Sequence, residues 1–180
     1  MPDRIEAACR TDFLPAHRVS GTRDPSIIKW IVLHSTEGGT ARSVAAYFES
    51  PSAGGSAHLV VDDDSCYRCL RNDQIPWGAP GANTTGFHIE QCGYARWPAA
   101  AWFLRHRTLR RAAYKTALHC KLFGIPPVFV DSGDLILGKR GVTVHSECSK
   151  AFGGDHTDPG KGWPRGVFMA LVRNYYRKLP

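Results

Sequence analysis

Apolar residues recur along this chain in two periods, and the switches between them mark out the elements. Lys29 to His34 is a short, nearly unbroken apolar run rich in β-branched residues, the signature of a buried strand. Ser35 to Gly39 is polar and glycine-rich, a loop, and Thr40 then starts a helix whose Val44, Tyr47 and Phe48 share one face. Ser56 to Val61 and Cys66 to Leu70, joined by Asp62 to Ser65, predict a hairpin. After a Pro/Gly/Asn-rich loop from Pro76 to Thr85, Gly86 to Gln91 alternates as a strand. Phe87, Ile89 and Gln91 fall on one face, His88 and Glu90 on the other.

The second half is more helical. Trp97 to Phe103 reads as a loop or short lead-in. From Leu109, Ala112, Ala113, Thr116, Ala117, Cys120 and Phe123 keep helical spacing, with Arg110, Arg111 and Lys115 turned outward. Gly124 ends that helix and Pro126-Pro127 prevents its restart. Val128 to Val144 is turn-rich and ends in a strand-like Gly141 to His145. A last helix follows Trp163-Pro164, with Val167, Phe168, Leu171, Val172, Tyr175 and Tyr176 as its core stripe. Met1 to Ser26 has no clean period and carries Pro2, Pro15 and Pro25, so it reads as an irregular arm with one short helix around Arg4 to Arg10. The expected fold class is α/β: a single mixed-sheet domain flanked by helices, residues 29–180, with an arm, residues 1–28, packed on it.

The chain's 180 residues suffice for one such domain with a real core. Its apolar runs are too short to span a bilayer, and the N-terminus lacks the apolar stretch of a signal peptide. A net charge of +7 favours an anionic partner, but the basic residues are scattered and no nucleic-acid motif stands out. Nucleic acid is therefore not expected as a partner. Six cysteines are too sparse for a disulfide scaffold. Cys66 and Cys69 lie an odd number of residues apart in a probable strand. They should point to opposite faces as buried thiols, not share a metal.

Candidate chemistry gathers between Val144 and Pro164. His145, His156 and Asp158 offer imidazole nitrogen and carboxylate oxygen, the ligands of a zinc whose fourth position stays open. Thr157 to Gly160, Thr-Asp-Pro-Gly, reads as a tight turn that would hold a carboxylate still. A distant partner is needed, and His34 at the end of Ile31-Val32-Leu33 is the candidate. His156 in place of Asp158 as third ligand stays open. Glu90 is either a surface carboxylate or a proton carrier. His58 reads as a buried hydrogen-bonding histidine, and His88, on the face of Glu90, has no assigned role. His17, His106, His119, Glu147 and Lys150 read as surface residues. Trp77 and Asn83 are candidate substrate contacts.

In order along the chain, these pieces resemble the zinc-dependent N-acetylmuramoyl-L-alanine amidases of the amidase-2 class, related to peptidoglycan recognition proteins. The resemblance spans roughly Lys29 to Tyr176. Together with Asp-His-Thr-Asp-Pro-Gly, it suggests the amidase domain of a bacteriophage endolysin. It implies that His34, His145 and Asp158 hold Zn2+ and that Glu90, in the signature strand, is catalytic. His156 stands where most relatives carry Lys, Ala57 where some carry Tyr, and Trp77-Gly78 where Trp-His is usual. The implied reaction is hydrolysis of the amide between N-acetylmuramic acid and L-alanine in peptidoglycan. Glu90 would act as general base, and His156 would help to stabilise the oxyanion. A histidine titrates near 6.5 unless shifted, so His156 in place of Lys implies a pH–rate limb that Lys would lack. The alternative is a recognition module that grips peptidoglycan without cutting it. A monomer is expected, held in a host cytoplasm until release and then acting on the wall.

Overall fold

The computed structural model describes residues 11–180. The strand-like runs build one six-stranded sheet from β1 (Thr11–Phe13), β2 (Trp30–Ser35), β3 (Leu59–Val61), β4 (Cys66–Arg68), β5 (Gly86–Gln91) and β6 (Gly141–Val144). Their order across the sheet is β1-β4-β3-β5-β2-β6. Every neighbouring pair is parallel except the β3–β4 hairpin. The central strands β2 and β5 are covered on both faces and almost wholly buried, so the polar side chains they carry, His34, His88 and Glu90 among them, lie inside the protein.

One face is the hydrocarbon core. Ile31, Leu33, Leu59, Phe87, Ile89 and Val142 point from it into a layer formed by α3 (His106–Leu122) and α6 (Arg165–Lys178), which also pack on each other. Each such side chain, fully buried, contributes about 1.5–3 kcal/mol. The helix α3 ends as the glycine predicts. Gly124 takes φ +62°, and Ile125, fully buried, donates its N–H to the Cys120 carbonyl at 2.8 Å. The opposite face carries α1 (Ala41–Glu49), α4 (Ser132–Ile136), α5 (His145–Phe152) and the loops of the functional site. A short α2 (Ala99–Leu104) precedes α3. Thr40 caps α1, its hydroxyl accepting from the Ser43 N–H.

Several expectations need correction. Trp97 to Phe103 is largely helical, because Trp102 is a fully buried anchor. Arg111 and Lys115 do not face solvent: Arg111 reaches the Asp63 carbonyl at 3.0 Å and Lys115 the Thr11 hydroxyl at 3.0 Å. His119 is also buried, stacked on Phe87 with ring centroids 4.0 Å apart. The common cause is that α3 lies against both the sheet and α6, so its covered stripe is wider than one apolar face. On α6 the buried residues are Phe168, Met169, Val172 and Tyr175, while Val167 is exposed. On α1 they are Ala41, Ala45 and Phe48, and Tyr47 is exposed. Thr11–Phe13, expected as irregular arm, pairs as an edge strand with β4. His145 opens helix α5 instead of closing a strand. The helix expected around Arg4 to Arg10 and Cys9 lie outside the described residues.

Cys66 and Cys69 do point apart. Cys66 joins the core under α3 and α6, and Cys69 the cluster under α1. Among the described residues no helix is long and apolar enough to cross a membrane.

Candidate metal centre

Register brings the candidate ligands together. β2 pairs with β6 so that Leu33 lies opposite Val144, and the residue that follows each is a histidine, His34 within β2 and His145 at the first position of α5. His34 and His145 therefore emerge side by side, their Nδ1 atoms 3.1 Å apart. Asp158 comes from the turn expected at Thr157 to Gly160, which closes with Gly160 N–H donating to the Thr157 carbonyl at 3.0 Å. The turn is docked in two ways. Ser146 N–H, at the start of α5, donates to the Asp158 carbonyl at 3.0 Å. Gly160, at φ +91°, lies so close to the Ala95 backbone that a Cβ would overlap it. Asp158 Oδ1 then lies 3.0 Å from His145 Nδ1, and Oδ2 3.3 Å from His34 Nδ1.

This donor set suits a cation. His34, His145 and Asp158 are all buried, and their ligand atoms lie within 4.8 Å of one another. Once the proton between the two facing imidazole nitrogens is given up, they and the carboxylate oxygen offer three lone pairs to one point. A tetrahedral ion with bonds of about 2.05 Å separates its ligand atoms by about 3.3 Å, close to what these side chains already hold. Burial alone would raise the pKa of Asp158, but hydrogen bonds from His145 and His34 outweigh it and hold the carboxyl well below its usual range. Burial likewise lowers His145, so its imidazole is presented neutral, as a metal ligand must be.

Around the ligands, each remaining side chain has a definite place. Glu90 lies beside His34 in the β2–β5 register, and its Oε2 is buried without a hydrogen-bond partner. Desolvation first, then the charges of Asp158 and Glu37, push its pKa well above the carboxylate norm. It is not a surface carboxylate. His156 stacks on His145 with centroids 4.0 Å apart, its Nδ1 3.6 Å from Asp158 Oδ1. It is more than half exposed and stands outside the buried ligand cluster. Trp77 lines the same groove of about 490 Å³ as Glu90 and the ligands. Asn83 lines it too, but its Oδ1 is engaged by the Gly78 and Ala79 N–H groups at 2.9 and 2.7 Å, a turn-holding role. A larger cleft of about 670 Å³ lies behind the 154–160 loop, lined by Asp155, Lys161 and Arg165 but by none of the three ligands.

Three further residues at the site had no functional assignment from sequence. His88 is fully buried with its Nδ1 3.0 Å from His34 Nε2. Its place on the Glu90 face was the available signal. Arg23, from the arm, reaches the carbonyls of Asn83, Thr84 and Gly86 and lies 2.8 Å from His58 Nε2, its pKa lowered by burial to about 10. Glu37 is the one non-glycine at positive φ among the described residues, 56°. Its Oε1 accepts from Ser35 Oγ at 2.7 Å and from Ala95 N–H at 2.8 Å, at the rim of the groove. Nothing in a Glu-Gly-Gly loop announces that. His58 is the buried hydrogen-bonding residue expected, its Nδ1 accepting the His88 N–H at 3.0 Å.

Solved structures share this fold at low identity. "Staphylococcus aureus hydrolase AmiA in complex with its ligand" is 18% identical with a TM-score of 0.73, over 98% of this chain and 91% of that one. An AmpD derivative is 18% identical with a TM-score of 0.66, over 96% and 99%. The PlyG catalytic domain is 17% identical with a TM-score of 0.64, over 93% and 95%. No curated protein matches by sequence. Residues 23–161, most of the chain, match the family Amidase_2, N-acetylmuramoyl-L-alanine amidase, and the chain belongs to that family of peptidoglycan amide hydrolases.

Proposed function

We propose that this chain cleaves the amide between N-acetylmuramic acid and L-alanine as a zinc enzyme, with His34, His145 and Asp158 holding the ion. The observation that carries this is the convergence of three buried lone-pair donors, from segments over a hundred residues apart, beside an unpartnered carboxyl group. Zinc held there would supply a Lewis acid for the scissile carbonyl and would acidify a water molecule.

The chain's own residues supply the proton traffic and the grip. Glu90, desolvated and with Oε2 free, takes the proton of the attacking water and returns it to the departing alanine nitrogen. An amide nitrogen leaves poorly unless protonated, so one group positioned for both transfers shortens the route. A raised pKa suits that double duty, because the carboxyl must release the proton as readily as it takes it. His156, at the groove mouth, donates to the oxyanion as the carbonyl becomes tetrahedral. Trp77, nearly half exposed, gives the glycan or lactyl group an apolar wall. The exclusion of water around Glu90 and Asp158 strengthens each of these interactions.

The cellular setting follows as part of the same proposal. The protein acts as a monomer of endolysin type, made in a host cytoplasm and released to the wall, where its +7 charge favours an anionic polymer. Incubation with purified cell walls tests the reaction. New N-terminal alanine should appear, dependent on zinc, and should vanish in Asp158→Ala. Release of sugar reducing ends or of other N-termini instead would contradict it.

A further inference from the structure

The two histidines of the metal centre are held in different ways. His145 is steadied by stacking on His156, and its own Nε2 is buried without a partner. His34 has its Nε2 aimed at His88 Nδ1, 3.0 Å away, the rings 22° from parallel. His88 is fully buried, and its other nitrogen, Nε2, faces the Ala82 carbonyl at 3.5 Å. Its backbone is pinned as well, the N–H donating to His58 Nδ1 at 3.0 Å.

Space has been kept for this ring. A Cβ on Gly78 would overlap His88 Nδ1, and one on Gly86 would lie 2.7 Å from its Nε2. The imidazole sits in a slot walled by two glycines, and any side chain at either position would displace it. A slot cut to one ring, with both nitrogens facing polar atoms, is more than a packing accommodation.

The protons along this row have one consistent arrangement. With a metal on His34 Nδ1, beside Asp158 and His145, the ring's one proton belongs on Nε2. That proton needs an acceptor, and His88 Nδ1 is the one in reach. His88 must then carry its own proton on Nε2, where the Ala82 carbonyl can accept it. Run in the opposite direction, the row would place a proton on His34 Nδ1 and spoil it as a ligand.

We propose that His88 is a positioning residue for His34, accepting its Nε2 proton and so fixing the tautomer and ring plane that present Nδ1 to the metal. This rests on the reading of His34 as a ligand. A neutral imidazole thus fills the orienting role that a carboxylate or carbonyl commonly has behind a metal-bound histidine.

The test compares zinc affinity, by competition with a chromophoric chelator, in wild type, His34→Ala, His88→Leu and His88→Asn, each first checked for cooperative unfolding. His88→Leu should weaken zinc about 10- to 100-fold. His88→Asn, whose amide oxygen can occupy the place of Nδ1, should recover most of that loss. Zinc binding by His88→Leu within threefold of wild type would overturn the proposal if His34→Ala has lost the metal. Unchanged binding in His34→Ala would instead sink the ligand assignment itself. A second measurement needs no substitution. In zinc-loaded wild type, nitrogen NMR should find His88 neutral with its proton on Nε2, and a coupling across the hydrogen bond from His34 Nε2 to His88 Nδ1. A proton on His88 Nδ1 would overturn the proposal even if no variant folds.

Discussion

Replacing Glu90 by Gln separates chemistry from stability, because the structure predicts opposite signs for the two. The side chain keeps its shape, and the neighbouring ligands keep their places, so zinc content should not change. What disappears is a group able to take and return a proton, which typically contributes about 10²–10⁴ in rate. That corresponds to about 3–5 kcal/mol on the barrier. Meanwhile Glu90 Oε2 is a buried oxygen with no partner, in a carboxyl that desolvation and two neighbouring carboxylates already disfavour as an anion. Removing that ionisable group should stabilise the fold by about 1 kcal/mol, which for a chain of this size raises Tm by about 2–4 °C. The assay is N-terminal alanine released from purified walls under single-turnover conditions, with Tm measured on the same zinc-loaded samples. A variant within tenfold of wild type in rate would refute the proton-carrier role. A Tm lower by several degrees would show that Glu90 is bound structurally and that its environment has been misread.

Other consequences are independent of Glu90. His156→Ala should lower kcat about 10²–10³-fold with zinc affinity unchanged, since the ring lies outside the ligand cluster; loss of zinc in that variant would make it a ligand. His119 should make the fold acid-sensitive. Burial lowers its pKa to about 3, with the Lys115 carbonyl opposing and the charges of Arg68 and Lys115 assisting. The unfolded chain therefore binds a proton that the folded chain refuses. The contribution is fully present above about pH 6.5 and lost as pH falls toward 3. At pH 4.5 the loss is about 2–3 kcal/mol, so His119→Gln should flatten the dependence of the urea midpoint between pH 7 and 4.5. Parallel profiles for the two metal-free proteins would contradict it.

Where sequence and structure agree, the reason is that a period and a burial state coincide. The run Ile31-Val32-Leu33 had to be a central strand, and alternation in Gly86 to Gln91 placed His88 and Glu90 on one face correctly. His34, His145 and Asp158 were legible because each terminates or punctuates an element, and such positions cluster at one end of a parallel sheet. What stayed hidden depends on contacts between distant segments. Arg111, Lys115 and His119 look like an exposed face of α3 until Asp63, Thr11 and Phe87 are brought against them. The pairing of His88 with His34 needs the β2–β5 register, and its slot needs Gly78 from a loop ten residues earlier. The turn-holding role of Asn83 was hidden too: its Oδ1 accepts from the Gly78 and Ala79 N–H groups while the residue lines the groove.

The most direct test of the metal centre is to strip the protein with a chelator and return zinc stepwise, following N-terminal alanine released from purified walls. If His34, His145 and Asp158 hold one catalytic ion, the stripped protein is inactive and activity returns in proportion to zinc, saturating at one equivalent per chain. Full alanine release in the presence of excess chelator, with metal analysis finding no bound ion, would contradict it.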